Sequence, residues 1–106
     1  MNIHSIAAAL LLLAASCAPT PGAAETHVVE ISNMAFSPSE LHVAVGDTVT
    51  WINRDLVPHT ATADDGAFDS GSLKTGDSWS YVVKDAGETA YSCSFHPAMT
   101  GHIIAR

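Results

Sequence analysis

From residue 25 onward, apolar and polar positions alternate with a period of two. Leu41, Val43 and Val45 are separated by His42 and Ala44, and Val49 and Trp51 by Thr50. Trp79 and Tyr81 are separated by Ser80, with Val83 continuing the series. Successive side chains of a strand point to opposite faces, so this pattern predicts half-buried strands. The stretches His27–Ser32, Thr60–Ala63, Thr89–Cys93 and His102–Arg106 supply further strand candidates. Gly and Asp mark the reversals between them, at Val45-Gly46-Asp47-Thr48, Thr75-Gly76-Asp77 and Asp85-Ala86-Gly87. No window carries an apolar helical stripe. Many short strands without helices predict an all-β Greek-key sandwich or barrel of about seven to eight strands. Trp51 and Trp79 are expected in its core. The acidic stretch from Asp64 to Gly71 breaks the rhythm and reads as a solvated surface loop, because its three Asp lack the spacing of a Ca²⁺-binding EF-hand.

The first 24 residues follow another pattern. Ile6 to Ala15 is an unbroken apolar run, followed by Pro19, Pro21, Gly22 and small residues up to Ala24. A membrane-spanning helix needs about 20 apolar residues, so this run is too short to be one. It fits the core of a secretory signal, with residues 1–24 as leader and 25–106 as the single domain. A second route competes: Ala14-Ala15-Ser16-Cys17 resembles a lipoprotein cleavage box, in which Cys17 becomes an acylated membrane anchor. Both routes predict a periplasmic or otherwise exported domain. Both also leave Cys93 as its lone thiol, in a compartment where thiols normally pair. Metal ligation would account for it.

Charge narrows the partners. The chain carries 11 acidic and 4 basic residues, a net charge of −7, all after residue 24. Nucleic-acid backbones need Lys and Arg, so no nucleic acid is expected. The balance suits a monomer that meets a basic or mixed-charge protein.

The chemistry concentrates in Cys93-Ser94-Phe95-His96-Pro97-Ala98-Met99. Thiolate, imidazole and thioether stand three residues apart, and a tight loop can aim all three at one point. His59, after Pro58 in a loop beyond the Trp51 strand, is the best candidate for a fourth ligand. Soft sulfur donors stabilise Cu(I), while two imidazoles keep Cu(II) acceptable. Two His and one Cys with a weak Met is the ligand set of a blue-copper electron-transfer site. Zn²⁺ would accept the same donors, but structural zinc sites rarely include Met. His27, His42 and His102 lie in strand-like stretches and read as surface residues.

Along nearly all of residues 27–106 the sequence resembles the cupredoxin family, and within it the amicyanin- and plastocyanin-like small blue copper proteins. The segments Asn33–Pro38 and Leu41–Asn53 look like that family's first strands. Val57-Pro58-His59-Thr60 looks like its first ligand loop, and Tyr91-Ser92-Cys93 opens the second. Two residues between Cys93 and His96, and two more before Met99, match the short amicyanin loop. The resemblance implies that His59, Cys93 and His96 are strong ligands of one type 1 copper and Met99 its weak axial ligand. Thr60 stands where many relatives carry Asn, a residue that often links the two ligand loops and donates near the sulfur.

No nucleophile, acid–base pair or phosphate-binding loop is evident, and four protein ligands leave no open metal position for substrate. The expected function is a carrier of single electrons between redox proteins, not an enzyme. Docking is expected around His96, Pro97 and Ala98, with Leu56, Val57 and Pro58 beside them. The alternative is a copper-binding module for storage, delivery or resistance.

Overall fold

The computed structural model describes residues 23–106. Apart from Ala23 and Ala24, the expected leader lies outside the described residues, and so does Cys17. Among the described residues eight strands form: β1 (Thr26–Ser32), β2 (Ala35–Ser37), β3 (Glu40–Val43), β4 (Thr48–Asn53), β5 (Thr62–Ala63), β6 (Ser78–Val82), β7 (Gly87–Cys93) and β8 (His96–Ala105). Among the described residues there is no helix. The strands make two four-stranded sheets, in the orders β2-β1-β4-β6 and β3-β8-β7-β5. This is the all-β sandwich that the alternation predicts.

The inward positions are the buried ones. Val29, Ile31, Val49 and Trp51 from the first sheet meet Tyr91, Met99, Ile103 and Ala105 from the second. Fully burying one such aliphatic side chain is worth about 1.5–3 kcal/mol, so this layer dominates stability. Trp51 pairs directly across from Trp79 on β6, and the two rings stack at 5.8 Å. Trp79 lies on an edge strand and is only half-buried, so it borders the core that was expected to enclose it.

Three departures from the sequence pattern have local causes. The acidic loop is at the surface, but its aromatic residue is not: Phe68 is buried against Trp51 and Tyr81, with ring centroids 5.2 and 4.8 Å apart. Asp65 and Asp69 accept the Ala67 and Gly71 amides and so close their own turns. The strand expected at Thr60–Ala63 is reduced to Thr62–Ala63, because His59 and Ala61 pair with Leu73 and Ser70 instead. Finally, β8 begins at His96, well before the expected His102. Cys93 pairs with His96 across the two-residue turn Ser94-Phe95.

Candidate metal centre

The period of two that builds the core also carries the sulfur donors. On β7 the buried positions are Tyr91 and Cys93; on β8 they are Met99, Gly101, Ile103 and Ala105. Cys93 is fully buried and Met99 is 5% exposed. Both therefore continue the inward face of a hairpin to its turn, where Tyr91 opposite Gly101 gives way to Cys93 opposite His96. His96, at the turn, is half-buried.

His59 arrives from the other sheet. As the last residue of β4, the buried Asn53 organises the connecting loop that follows. Its side-chain amide donates to the carbonyls of Val57 and Leu73, and its Oδ1 accepts the Asp55 amide. His59 is fully buried and exchanges both backbone hydrogen bonds with Leu73. Its two ring nitrogens face different partners. Nε2 lies 2.8 Å from Asp55 Oδ2, and Nδ1 lies 3.6 Å from Cys93 Sγ. A carboxylate accepting Nε2–H leaves the Nδ1 lone pair aimed at the sulfur, which is the arrangement of a metal-ligating histidine with an orienting carboxylate. The Met34 amide, then the His59 ring and the Asn33 amide, hold the Asp55 carboxyl below its ordinary range, so it stays ionised for this task.

Asp55 also anchors the surface. Asn33 and Met34 form the two-residue β1–β2 turn with φ of 52° and 60°. Such a turn favours Gly at its second position, yet Met34 stands there. Both turn amides donate to the Asp55 carboxylate, at 2.8 and 3.0 Å. One carboxylate thus fixes His59 and holds Met34 in a left-handed conformation.

The sulfur is held from the next residue. The Thr60 amide donates to Cys93 Sγ at 3.4 Å. Thr60 Oγ1 accepts the Ser94 amide at 2.8 Å and also bonds the hydroxyls of Thr62 and Ser94. Thr60 therefore links the His59 loop to the Cys93–His96 turn.

A metal fits between the first two donors. With metal–sulfur and metal–nitrogen bonds of about 2.3 and 2.0 Å, an angle of 110–120° separates the donors by roughly 3.5–3.8 Å. The observed 3.6 Å lies in that interval. The His96 ring stands edge-on to His59, with centroids 5.3 Å apart. Met99 and His96 line one surface depression with Met34, Phe95, Pro97 and Ala98. The structure thus joins His59 to Cys93 directly and sets the His96 ring edge-on to His59, in a depression that Met99 also lines; the ligand atoms of His59, Cys93 and His96 do not all come within 4.8 Å of one another.

The family profile described as "Cupredoxin-like domain" matches residues 4–105. The chain belongs to the cupredoxin-like family. This cupredoxin is 38% identical over 82 residues to amicyanin of Paracoccus denitrificans, covering 73% of this chain and 63% of that one. It is 27% identical to amicyanin-alpha of Methylorubrum extorquens, over 98% of each. The chain thus spans a little under two thirds of the first relative's length and nearly all of the second's. A solved structure of reduced amicyanin carrying a Trp-to-Tyr mutation superposes with a TM-score of 0.72 at 35% identity, over 76% of this chain and 82% of that one.

Several residues that shape the cupredoxin site escape a reading of the sequence alone. Asn53 and Asp55 carry no motif of their own, since their work depends on a loop conformation. Phe95 (52% exposed) and Met34 (45% exposed) enlarge the apolar face beyond Pro97 and Ala98. Met34 is distant in sequence, and only the turn held by Asp55 brings it there.

Proposed function

We propose that the protein carries single electrons between exported redox partners, using one type 1 copper held by His59, Cys93 and His96, with Met99 as a weak fourth donor. The 3.6 Å approach of His59 Nδ1 to Cys93 Sγ, buried and flanked by an inward Met99, carries this reading. Copper would supply the Cu(II)/Cu(I) couple. The chain's own part is to keep one donor set in place for both oxidation states, so that little rearranges at each transfer.

Each residue has a task in that. The Cys93 thiolate is the strongest donor, and the Thr60 N–H stabilises its negative charge. Asp55 fixes the ring and tautomer of His59. Met99 and the core behind it exclude water. His96 is the ligand nearest the surface, framed by Met34, Phe95, Pro97 and Ala98, with Leu56 and Val57 exposed on the loop that carries Asp55. An apolar face of this kind docks a partner loosely, while the chain's net charge of −7 tunes encounter rate. The four protein donors leave no substrate position, so the protein is proposed to act as a carrier and not as an enzyme. Export follows from reading residues 1–24 as a leader, with lipid anchoring through Cys17 as the variant route.

A spectroelectrochemical titration of the copper-loaded protein tests the proposal. A carrier gives a reversible one-electron curve with a slope of about 59 mV per decade, and copper is retained in both states. Loss of copper on reduction would favour storage or delivery instead.

A further inference from the structure

The opposite pole of the sandwich holds a second group of donors. Glu25 directly precedes β1, whose second residue is His27, and Asp47 directly precedes β4, which runs parallel to β1 in the register Thr26 to Thr48. Cys93 ends β7, whose first residue Gly87 pairs with Ala105 beside Val43. One strand of about seven residues at 3.3 Å each therefore separates the two poles, about 20 Å. Ligating atoms of Glu25, His27 and Asp47 all lie within 4.8 Å of one another. Among the described residues this is the one such compact trio of His, Cys, Asp and Glu donors.

The trio has a built side and an adjustable side. Asp47 is 4% exposed: its Oδ1 accepts the Glu25 amide, and its Oδ2 accepts the Ala44 amide and faces His27 Nε2 at 2.8 Å. The Glu25 and Ala44 amides, with the His27 ring, hold its carboxyl down to about 2, so it is anionic at neutral pH. Glu25 is exposed and can swing inward. Across the same surface depression of about 310 Å³ stands His42, whose Nε2 now meets only the exposed Glu40, at 3.1 Å.

We propose that Glu25, His27 and Asp47 bind a borderline divalent cation such as Zn²⁺, with His42 available as a fourth donor. Bonds of 2.0–2.2 Å at angles of 90–109° place two ligand atoms about 2.9–3.5 Å apart, so the 2.8 Å between His27 Nε2 and Asp47 Oδ2 needs to open by only a few tenths of an ångström. On binding, the cation replaces the Nε2 proton, which moves to Nδ1 or to solvent. One imidazole and two carboxylates suit a borderline ion better than a soft one, which separates this site from the sulfur-rich pole. A bound cation would also offset two negative charges and tie the start of β1 to the β3–β4 turn. The competing account is a plain structural clamp, in which Asp47 only holds the turn.

The test is a Zn²⁺ titration of the copper-loaded, reduced protein, followed by NMR of the individual histidine rings. Because each ring is read separately, the result does not depend on what occupies the His59 pole. The expected result is a saturable shift of the His27 ring, with an affinity that falls at least tenfold in His27→Gln and in Glu25→Gln. Glu25 is exposed and lies outside the strands, so its variant tests the site even if His27→Gln fails to fold. No saturation at His27 up to about 1 mM Zn²⁺, or an unchanged midpoint in Glu25→Gln, would overturn the proposal in favour of the clamp.

Discussion

Gly101→Ala adds a single methyl, and the structure says why it should be costly. Gly101 lies on β8 directly opposite Tyr91 of β7, and the phenol ring of Tyr91 lies across it. A Cβ built at Gly101 falls 2.5 Å from the Tyr91 hydroxyl oxygen and 2.7 Å from Cε1, and closer still to Cζ. Something must move, and the ring has nowhere to go. Tyr91 is 1% exposed and caged by Phe36, Trp51 and Phe68, at centroid distances of 4.7, 5.4 and 5.8 Å. Overpacking of a well-filled core costs about 1–3 kcal/mol, and three atoms at sub-contact distance put this case at the upper end. Urea denaturation of the metal-free protein measures it. The interpretation is checked by a double-mutant cycle with Tyr91→Leu, which removes the atoms the methyl would strike. In that background Gly101→Ala should cost less than half as much. Equal costs in both backgrounds, or a loss below about 0.5 kcal/mol in the wild type, would refute the argument that the ring requires the glycine.

Three other outcomes follow from single contacts. Thr60→Val keeps the amide bond to Cys93 but removes the acceptor of the Ser94 amide, and should cost about 1 kcal/mol by urea denaturation while changing the visible spectrum of the copper form little. Met34→Gly relieves a left-handed φ of 60° and should raise stability by up to about 1 kcal/mol, while stopped-flow measurements show slower exchange with a redox partner because part of the apolar face is gone. Asp47 has a folded-state pKa of about 2 against an ordinary 3.8, so its contribution is fully present above pH 4 and is lost as pH falls through that window. The acid limb of a stability-versus-pH curve should therefore be shallower between pH 4 and pH 2 in Asp47→Asn.

The sheet and its core are legible wherever side chains alternate along a strand. Val49 and Trp51 announce β4 because nothing interrupts them. The same signal fails on β8, where the inward positions before Ile103 are Met99 and Gly101. A glycine there makes the pattern look like a loop, although its missing side chain is what lets Tyr91 lie across the strand. Phe68 was hidden for the opposite reason: one aromatic among aspartates reads as solvated until Trp51 and Tyr81 are seen to receive it. For the candidate site, Cys93, His96 and Met99 are singled out in the sequence because their spacing is local. His59 is singled out by its position after Pro58 in the loop beyond the Trp51 strand, and the family resemblance points to the same residue. Asn53, Asp55 and Met34 act through one loop and one turn held by a single carboxylate, and no spacing in the sequence encodes that junction.

The central claim is that Cys93 ligates a single copper together with His59. Its most direct test is the visible spectrum of the protein loaded with one equivalent of copper and oxidised. A thiolate bound to Cu(II) should give intense absorption toward the red end of the spectrum, and Cys93→Ser should abolish the colour while the sandwich remains folded by far-UV circular dichroism. A colourless wild type after loading and oxidation, or a colour that survives in Cys93→Ser, would contradict the account.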